Sequence, residues 1–156
     1  MLRKAVIDDI KPMKKIIDNY AKKELMLPRS LSELYESIRD FYVYEENNEI
    51  IGCCALHVVW EDLAEILSLA VIAEHNKRKI GTSLLKACID EGYTLGVKKV
   101  FTLSYVPEFF EKNGFEKVDK STLPHKVWSG CIKCPKFPEC EEIALIRELE
   151  PARSDT

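Results

Sequence analysis

The sequence predicts an α+β fold, a mixed β-sheet of about six to seven strands, parallel at its centre, with helices on both faces. Three observations lead there. The stretch "FYVYEENNEIIGCCALHVV", residues 41–59, is rich in aromatic and β-branched side chains on either side of a polar "ENNE", the pattern of an antiparallel hairpin. The run "AEILSLAVI", residues 64–72, is almost continuously apolar, as in a strand covered on both faces at the middle of a sheet. A helical stretch then separates that run from a second apolar segment, "KKVFTLSYV", residues 98–106. Strand, helix and strand make a βαβ unit, which requires parallel pairing and a right-handed crossover.

The remaining elements follow in chain order. In "DDIKPMKKIIDNYAK", residues 8–22, Ile10, Met13, Ile16, Ile17 and Tyr20 fall on one helical face, with Asp8 or Asp9 as the cap and Pro12 tolerated in the first turn. "LPRSLSELYESIRDF" holds a capping box, Ser30 with Glu33, ahead of Leu31, Leu34, Tyr35 and Ile38, so a second helix is expected over about 31–39. The helix of the βαβ unit is expected from Gly81, carries Leu84, Leu85, Cys88 and Ile89 inward, and ends near Gly92 or Gly96. "PEFFEKNGF" reads as a short helix opened by Pro107 and stopped at Asn113-Gly114, and "FEKVD" as a strand. A Pro- and Cys-bearing excursion over 121–142 precedes a closing strand at about 143–149, and the tail 150–156 is expected to fray.

Composition restricts the function. With 156 residues the chain is expected to form one domain, large enough to remove about two-thirds of its unfolded surface from water. The formal charge of −3, with both signs mixed along the chain, argues against a nucleic-acid binder, which needs a concentrated basic face. Charges interrupt the N-terminal stretch where a signal peptide keeps its apolar core, and no apolar run approaches the roughly 18 residues of a membrane span. A cytoplasmic protein without a membrane partner is expected. In that compartment Cys53, Cys54 and Cys88, inside apolar segments, read as buried thiols.

One polar feature stands out. "AEHNKRKIGTSLL", residues 73–85, places Lys77, Arg78 and Lys79 at a helix entrance. A helix N-terminus already presents unpaired N–H groups and about half a positive charge, so three further cations there are unfavourable unless an anion arrives. The arrangement points to a small phosphate-bearing ligand.

This order of elements, with the basic turn and "FFEKNGF", resembles the GNAT superfamily of acetyl-CoA-dependent N-acetyltransferases over roughly residues 2–118 and the closing strand. More specifically, "LPRSLSELYESIRDF", "ALHVVWEDLAEILSLAV" and "LPHKVWSGCIKCPKFPECEEIAL" are similar to short amino-acid N-acetyltransferases of the N-acetylglutamate synthase type, which begin arginine biosynthesis. The resemblance implies that residues 1–149 are a single acetyltransferase domain using acetyl-CoA as co-substrate and transferring its acetyl group directly, in a ternary complex, to the α-amine of glutamate. A homodimer is one assembly open to it. In the family the turn after the central strand reads Gln/Arg-x-x-Gly-x-Gly/Ala and holds the pyrophosphate with backbone N–H groups. Here Asn76 and Lys79 depart from it and Gly81 is kept.

Residue by residue, the resemblance implies a cofactor site of Leu69, Ala70 and Val71 along the opened central strand, Lys77, Arg78, Lys79, Gly81, Thr82 and Ser83 at the phosphates, and Phe110 in the short helix. Glu65 is the expected general base, because many relatives carry a glutamate on this strand and a lone carboxylate in an apolar run is costly unless paired or functional. His57 is the second candidate. Many relatives protonate the leaving thiolate with a tyrosine where Phe110 stands, so Tyr105, at the end of the preceding strand, is the candidate acid. Arg29 is expected to take an acceptor carboxylate, with Lys126 and Trp128 lining the same cleft.

Cys131, Cys134 and Cys140, with His125 upstream, supply enough soft ligands for a structural zinc, while free thiols or a local redox bridge are the alternatives. Competing functions are acetylation of another amino acid, a polyamine or a protein amine, or a non-catalytic Cys-rich interaction module.

Overall fold

A computed structural model of the chain describes residues 1–72, 77–123 and 142–149. Seven strands, β1 (Leu2–Lys4), β2 (Phe41–Glu46), β3 (Glu49–Trp60), β4 (Leu63–Val71), β5 (Lys99–Ser104), β6 (Glu116–Val118) and β7 (Ile143–Glu148), form one sheet in the order β1-β2-β3-β4-β5-β7-β6. Only β4 and β5 run parallel; every other pair is antiparallel. Helices α1 (Ile10–Lys22) and α2 (Leu31–Glu36) sit on one face, and α3 (Lys77–Leu95) and α4 (Pro107–Glu111) on the other.

The two cores follow from strand alternation. Along β3, Ile50, Cys53 and Ala55 pack with Ile10, Met13, Ile17 and Leu34 of the first two helices, while Ile51, Cys54 and Leu56 pack with Leu84, Leu85 and Cys88 of α3. The three internal cysteines are free and buried, as their apolar surroundings suggested, and burial pushes the Cys53 thiol up to about 12. Asn47 and Asn48 close the β2–β3 hairpin with φ of 52° and 62°, the left-handed conformation that Asn tolerates and the "ENNE" turn required. At the end of α3, Gly96 takes a φ of +87°, so of the two glycines that could stop the helix it is the later one that does.

Three boundaries differ from the sequence reading. First, α3 begins at Lys77, four residues before Gly81, because buried Ile80 extends the inward stripe of Leu84 and Leu85 back by a turn. Second, the helix after Ser30 breaks at Ser37, whose hydroxyl donates to the Glu33 carbonyl at 2.7 Å, and a 3-10 turn over Ile38–Asp40 follows. Third, the sheet has a further edge strand, β1, that the sequence does not predict. Its three residues carry no period, and it is held by pairing with β2 and by the Arg3 guanidinium, which bonds Asp9 at 2.7 Å and 3.0 Å and Glu45 at 2.9 Å.

The capping box is formed: the Glu33 N–H donates to Ser30 Oγ at 3.1 Å and the Ser30 N–H to Glu33 Oε1 at 3.0 Å. Ser30→Ala is expected to lower stability by about 1 kcal/mol, seen in urea as a lower midpoint at unchanged slope. Among the described residues no helix is long and apolar enough to cross a membrane. His125, Lys126, Trp128, Cys131, Cys134, Cys140 and the tail 150–156 lie outside the described residues.

Candidate active site

The parallel ladder between β4 and β5 is short. It joins Leu63 to Lys99, Ala64 to Val100 and Glu65 to Phe101, and stops there, although β4 continues to Val71. Past that point the Ile66 carbonyl accepts the Thr102 hydroxyl at 3.0 Å in place of a strand partner. The sheet therefore opens after Glu65, between two strands whose backbone groups would otherwise pair.

A bulge on the other edge of β4 accompanies the opening. The register with β3 passes from Ala55↔Leu67 to Cys53↔Ala70, and Ser68, in that irregular stretch, has a φ of +55°, a left-handed conformation unusual for a residue other than Gly, Asn or Asp. Beyond the bulge the Ile72 N–H donates to the Ile51 carbonyl at 2.8 Å, whereas the Val71 N–H turns the opposite way and donates to Tyr20 Oη at 3.1 Å. The same hydroxyl donates to the Val71 carbonyl at 2.8 Å. Two-residue alternation then faces Ala70 toward β3 and Leu69 toward the opening. Of the three residues expected along the cofactor, Leu69 is the one that this alternation turns toward the gap with no part in the Tyr20 contact, for Tyr20 of α1 engages the backbone of Val71.

Glu65 stands at the apex of the opening, partly buried, opposite His57 across the β3–β4 ladder. Burial pushes its carboxyl up to about 7, Glu142 adds to the rise, and His57 and Arg29 oppose it. A carboxylate of this acidity is half ionised near neutral pH, the condition for accepting a proton and later giving it up. His57 is itself exposed, and its Nδ1 lies 2.7 Å from Asp40 Oδ2, a contact that raises its basicity.

Arg29 comes from the segment between α1 and α2 and reaches the bulge. Its Nη1 donates to Ser68 Oγ at 3.1 Å and its Nη2 to Ser37 Oγ at 3.3 Å, while Nε is 3.8 Å from Glu33 Oε2. The guanidinium also lies 5.9 Å from the Phe41 ring centre. With a side chain only 17% exposed, it is a held cation rather than a solvated loop arginine. Its two close partners are neutral hydroxyls, so a planar, fork-shaped positive group sits on the face of the sheet that carries Glu65, three residues along the strand.

At the other end of the opening, Lys77, Arg78 and Lys79 form the first turn of α3. Lys79 is helical and its φ is not positive, so the glycine missing there costs nothing in backbone geometry. A Cβ at buried Gly81 would meet the Phe109 ring at 3.5 Å, ordinary contact; Thr82 and Ser83 are exposed, and Ser83 Oγ donates to the Lys79 carbonyl at 3.0 Å. Phe110 is 5% exposed and packs edge-on against Phe109 and Phe115, with ring centres 5.3 Å and 5.4 Å away, so its ring belongs to the core beneath α3. Tyr105 follows β5 directly and is partly buried. Among the described residues no group of His, Cys, Asp or Glu is placed to hold a metal ion.

Ser68, Asp40 and Glu142 carry no expectation from the sequence, and Tyr20 carries one only as part of the apolar face of α1. Ser68 had a signal, a hydroxyl in an otherwise apolar strand, the same argument that drew attention to Glu65. The other three meet the site only through contacts distant along the chain.

A family model described as an acetyltransferase (GNAT) domain matches residues 37–117. An uncharacterized N-acetyltransferase from Chlorobaculum tepidum is 36% identical over 148 residues, 95% of this chain and 96% of the relative. An amino-acid acetyltransferase from Mycobacterium tuberculosis is 31% identical over 131 residues, 82% of this chain and 75% of the relative. Among solved structures, N-acetylglutamate synthase from Neisseria gonorrhoeae, complexed with coenzyme A and N-acetyl-glutamate, superposes with a TM-score of 0.87 at 26% identity, covering 96% of this chain and 35% of the larger protein. Matched by the family model over more than half its length, and along nearly all of it by a relative of the same class, the chain belongs to the GNAT acetyltransferase family and is an N-acetyltransferase.

Proposed function

We propose that the chain transfers the acetyl group of acetyl-CoA to the α-amine of an amino acid, with glutamate as the acceptor and the first step of arginine biosynthesis as the reaction. The observation that carries this reading is the pairing, on one face of the opened sheet, of a carboxyl near neutral acidity, Glu65, with a held guanidinium, Arg29, whose close partners are uncharged. The relatives named amino-acid acetyltransferase, and the neighbour solved with coenzyme A and N-acetyl-glutamate, point the same way.

The chemistry follows from the placement. The acceptor arrives as an ammonium and must lose a proton before it can attack the thioester; Glu65 takes it, directly or through a water. Arg29 meets a carboxylate of the acceptor in two-pronged fashion, which fixes the amine relative to Glu65. The thioester carbonyl lies along β4 with the Leu69 N–H directed at its oxygen, stabilising the charge that develops there. Attack forms the C–N bond and the C–S bond breaks; Tyr105 gives its proton to the departing thiolate, and the second proton of the former amine passes to Tyr105 in its place, so the products are the amide and the free thiol. The pyrophosphate is met at the first turn of α3 by backbone N–H groups, in a stretch whose sequence carries Lys77, Arg78 and Lys79.

Acetyl-CoA turnover measured in parallel with glutamate, glutamine, lysine, spermidine and a peptide tests the reading. Glutamate is expected to give the highest kcat/KM; a preference for spermidine or the peptide overturns the acceptor assignment, and no turnover with any amine overturns the enzyme reading for this site. Lys79→Gly is expected to change the acetyl-CoA Kd by less than about tenfold in calorimetry, because one exposed phosphate contact carries no more than about 1.4 kcal/mol while the backbone donors stay in place.

A further inference from the structure

Acetylation of an ammonium removes two protons from nitrogen. One leaves with the thiol of CoA, and the other is left on the base, so a partly buried Glu65 must be emptied before the next turnover. The inference below rests on Glu65 as that base.

His57 is the group placed to empty it. It is the direct cross-strand partner of Glu65 in the β3–β4 ladder, on the same face, and Cβ atoms of such partners lie about 4.5–5.5 Å apart. The two side chains are thus within reach of each other or of one shared water. The register of β2 with β3 ends at Phe41↔Ala55, so β3 runs past its neighbour and His57 lies on an open edge, its side chain 51% exposed. The 3-10 turn that precedes β2 brings Asp40 to that edge, 2.7 Å from His57 Nδ1. A carboxylate at Nδ1 holds the proton there in the neutral ring and leaves Nε2 as the acceptor. Partly buried base, half-exposed imidazole and fixing carboxylate lie in sequence from the opened sheet to its edge.

We propose that His57, oriented by Asp40, is a relay that takes the proton from Glu65 and releases it to solvent. In that step the O–H bond on Glu65 breaks, an N–H bond forms at His57 Nε2, and the imidazolium then gives the proton to water, returning both groups to their starting states. The charged groups facing Glu65 are His57, Arg29 and Glu142, and those facing His57 are Asp40, Glu65 and Arg29. Burial raises Glu65 to about 7, and the Asp40 contact raises His57 above its ordinary value, so the imidazole that meets the Glu65 proton is a stronger base than a free histidine.

His57→Gln in the full chain is expected to lower kcat at pH 7 by on the order of tenfold, with the Michaelis constants for acetyl-CoA and the amino acid held within about twofold, and added imidazole is expected to restore turnover in a concentration-dependent way. Asp40→Asn is expected to move the His57 ring titration, followed by NMR, to lower pH and to slow turnover in parallel. Unchanged kcat in His57→Gln, in an enzyme that Glu65→Gln still disables, overturns the relay. So does a slowed His57→Gln enzyme that imidazole cannot restore, since a purely electrostatic or structural role predicts that result. If Glu65→Gln is itself without effect, the failure lies in the assignment of the base, and the relay falls with it.

Discussion

Replacing Glu65 with Gln lowers kcat by about 10²- to 10⁴-fold and leaves acetyl-CoA binding unchanged within about twofold, the expected result for a positioned base that does not touch the cofactor's phosphates. Glutamine keeps the size and the hydrogen-bonding reach of the side chain and removes only its ability to take a proton. In the wild type, kcat/KM should rise with pH through a midpoint near the Glu65 value of about 7, because the carboxylate and not the carboxylic acid accepts the proton. The variant should lose that limb. Stability moves the other way and serves as the control. Folding raises the Glu65 pKa from its ordinary 4.5 to about 7, so the wild-type fold is progressively weakened, relative to one with a neutral side chain, as pH climbs through that window. Glu65→Gln is therefore expected to melt no lower than wild type at pH 8, and a rate loss there cannot be unfolding. A wild-type profile that stays flat between pH 6 and 9 overturns the assignment, as does a variant of full activity.

Most of the sheet was legible because its strands alternate or run apolar and its turns use the residues their geometry demands. The Asn47-Asn48 turn, the capping box at Ser30 and the glycine stop at Gly96 are local features, decided within a few residues. The opening between β4 and β5 is not of that kind. The apolar run over residues 64–72 reads as one continuous strand, and nothing in its period announces that pairing with β5 ends at Glu65 or that Ser68 adopts a positive φ. Family resemblance supplied the opening; the bulge came only from the structure. Phe110 shows the limit of carrying positions over from relatives. The relatives' tyrosine position holds a ring that here packs on Phe109 and Phe115. Glu65 was readable as a residue type in unusual surroundings and Arg29 through the family resemblance, but the residues that tune them, Glu142 from the approach to β7 and Ser37 and Ser68 around the guanidinium, come together only when the chain folds.

Arg29→Leu raises the Michaelis constant for glutamate by at least about tenfold while that for acetyl-CoA stays the same, since losing a charge-assisted bond costs on the order of 1.5–3 kcal/mol. The environment of the guanidinium sets the size of this effect. An arginine already paired at short range with a carboxylate has little to offer a ligand, but Arg29 has hydroxyls at 3.1 Å and 3.3 Å, and its nearest carboxylate oxygen, on Glu33, is 3.8 Å from Nε. Most of its charge therefore remains for an incoming anion, in a site dry enough to push Glu65 up to about 7. Leucine keeps apolar contact with Phe41, so the variant should fold, and a melting curve checks it. Lysine at the same position should rescue only in part, because an ammonium cannot hold Ser68, Ser37 and a carboxylate in one plane. The comparison of acceptors sharpens the result. Glutamine lacks the side-chain carboxylate but keeps the α-carboxylate. If Arg29 reads the side chain, Arg29→Leu lowers kcat/KM for glutamate and hardly changes it for glutamine; if it reads the α-carboxylate, both fall together. Should neither fall, the acceptor's carboxylates are met elsewhere, and the hydroxyl-held cation beside the bulge is a brace for β4 rather than part of the acceptor site.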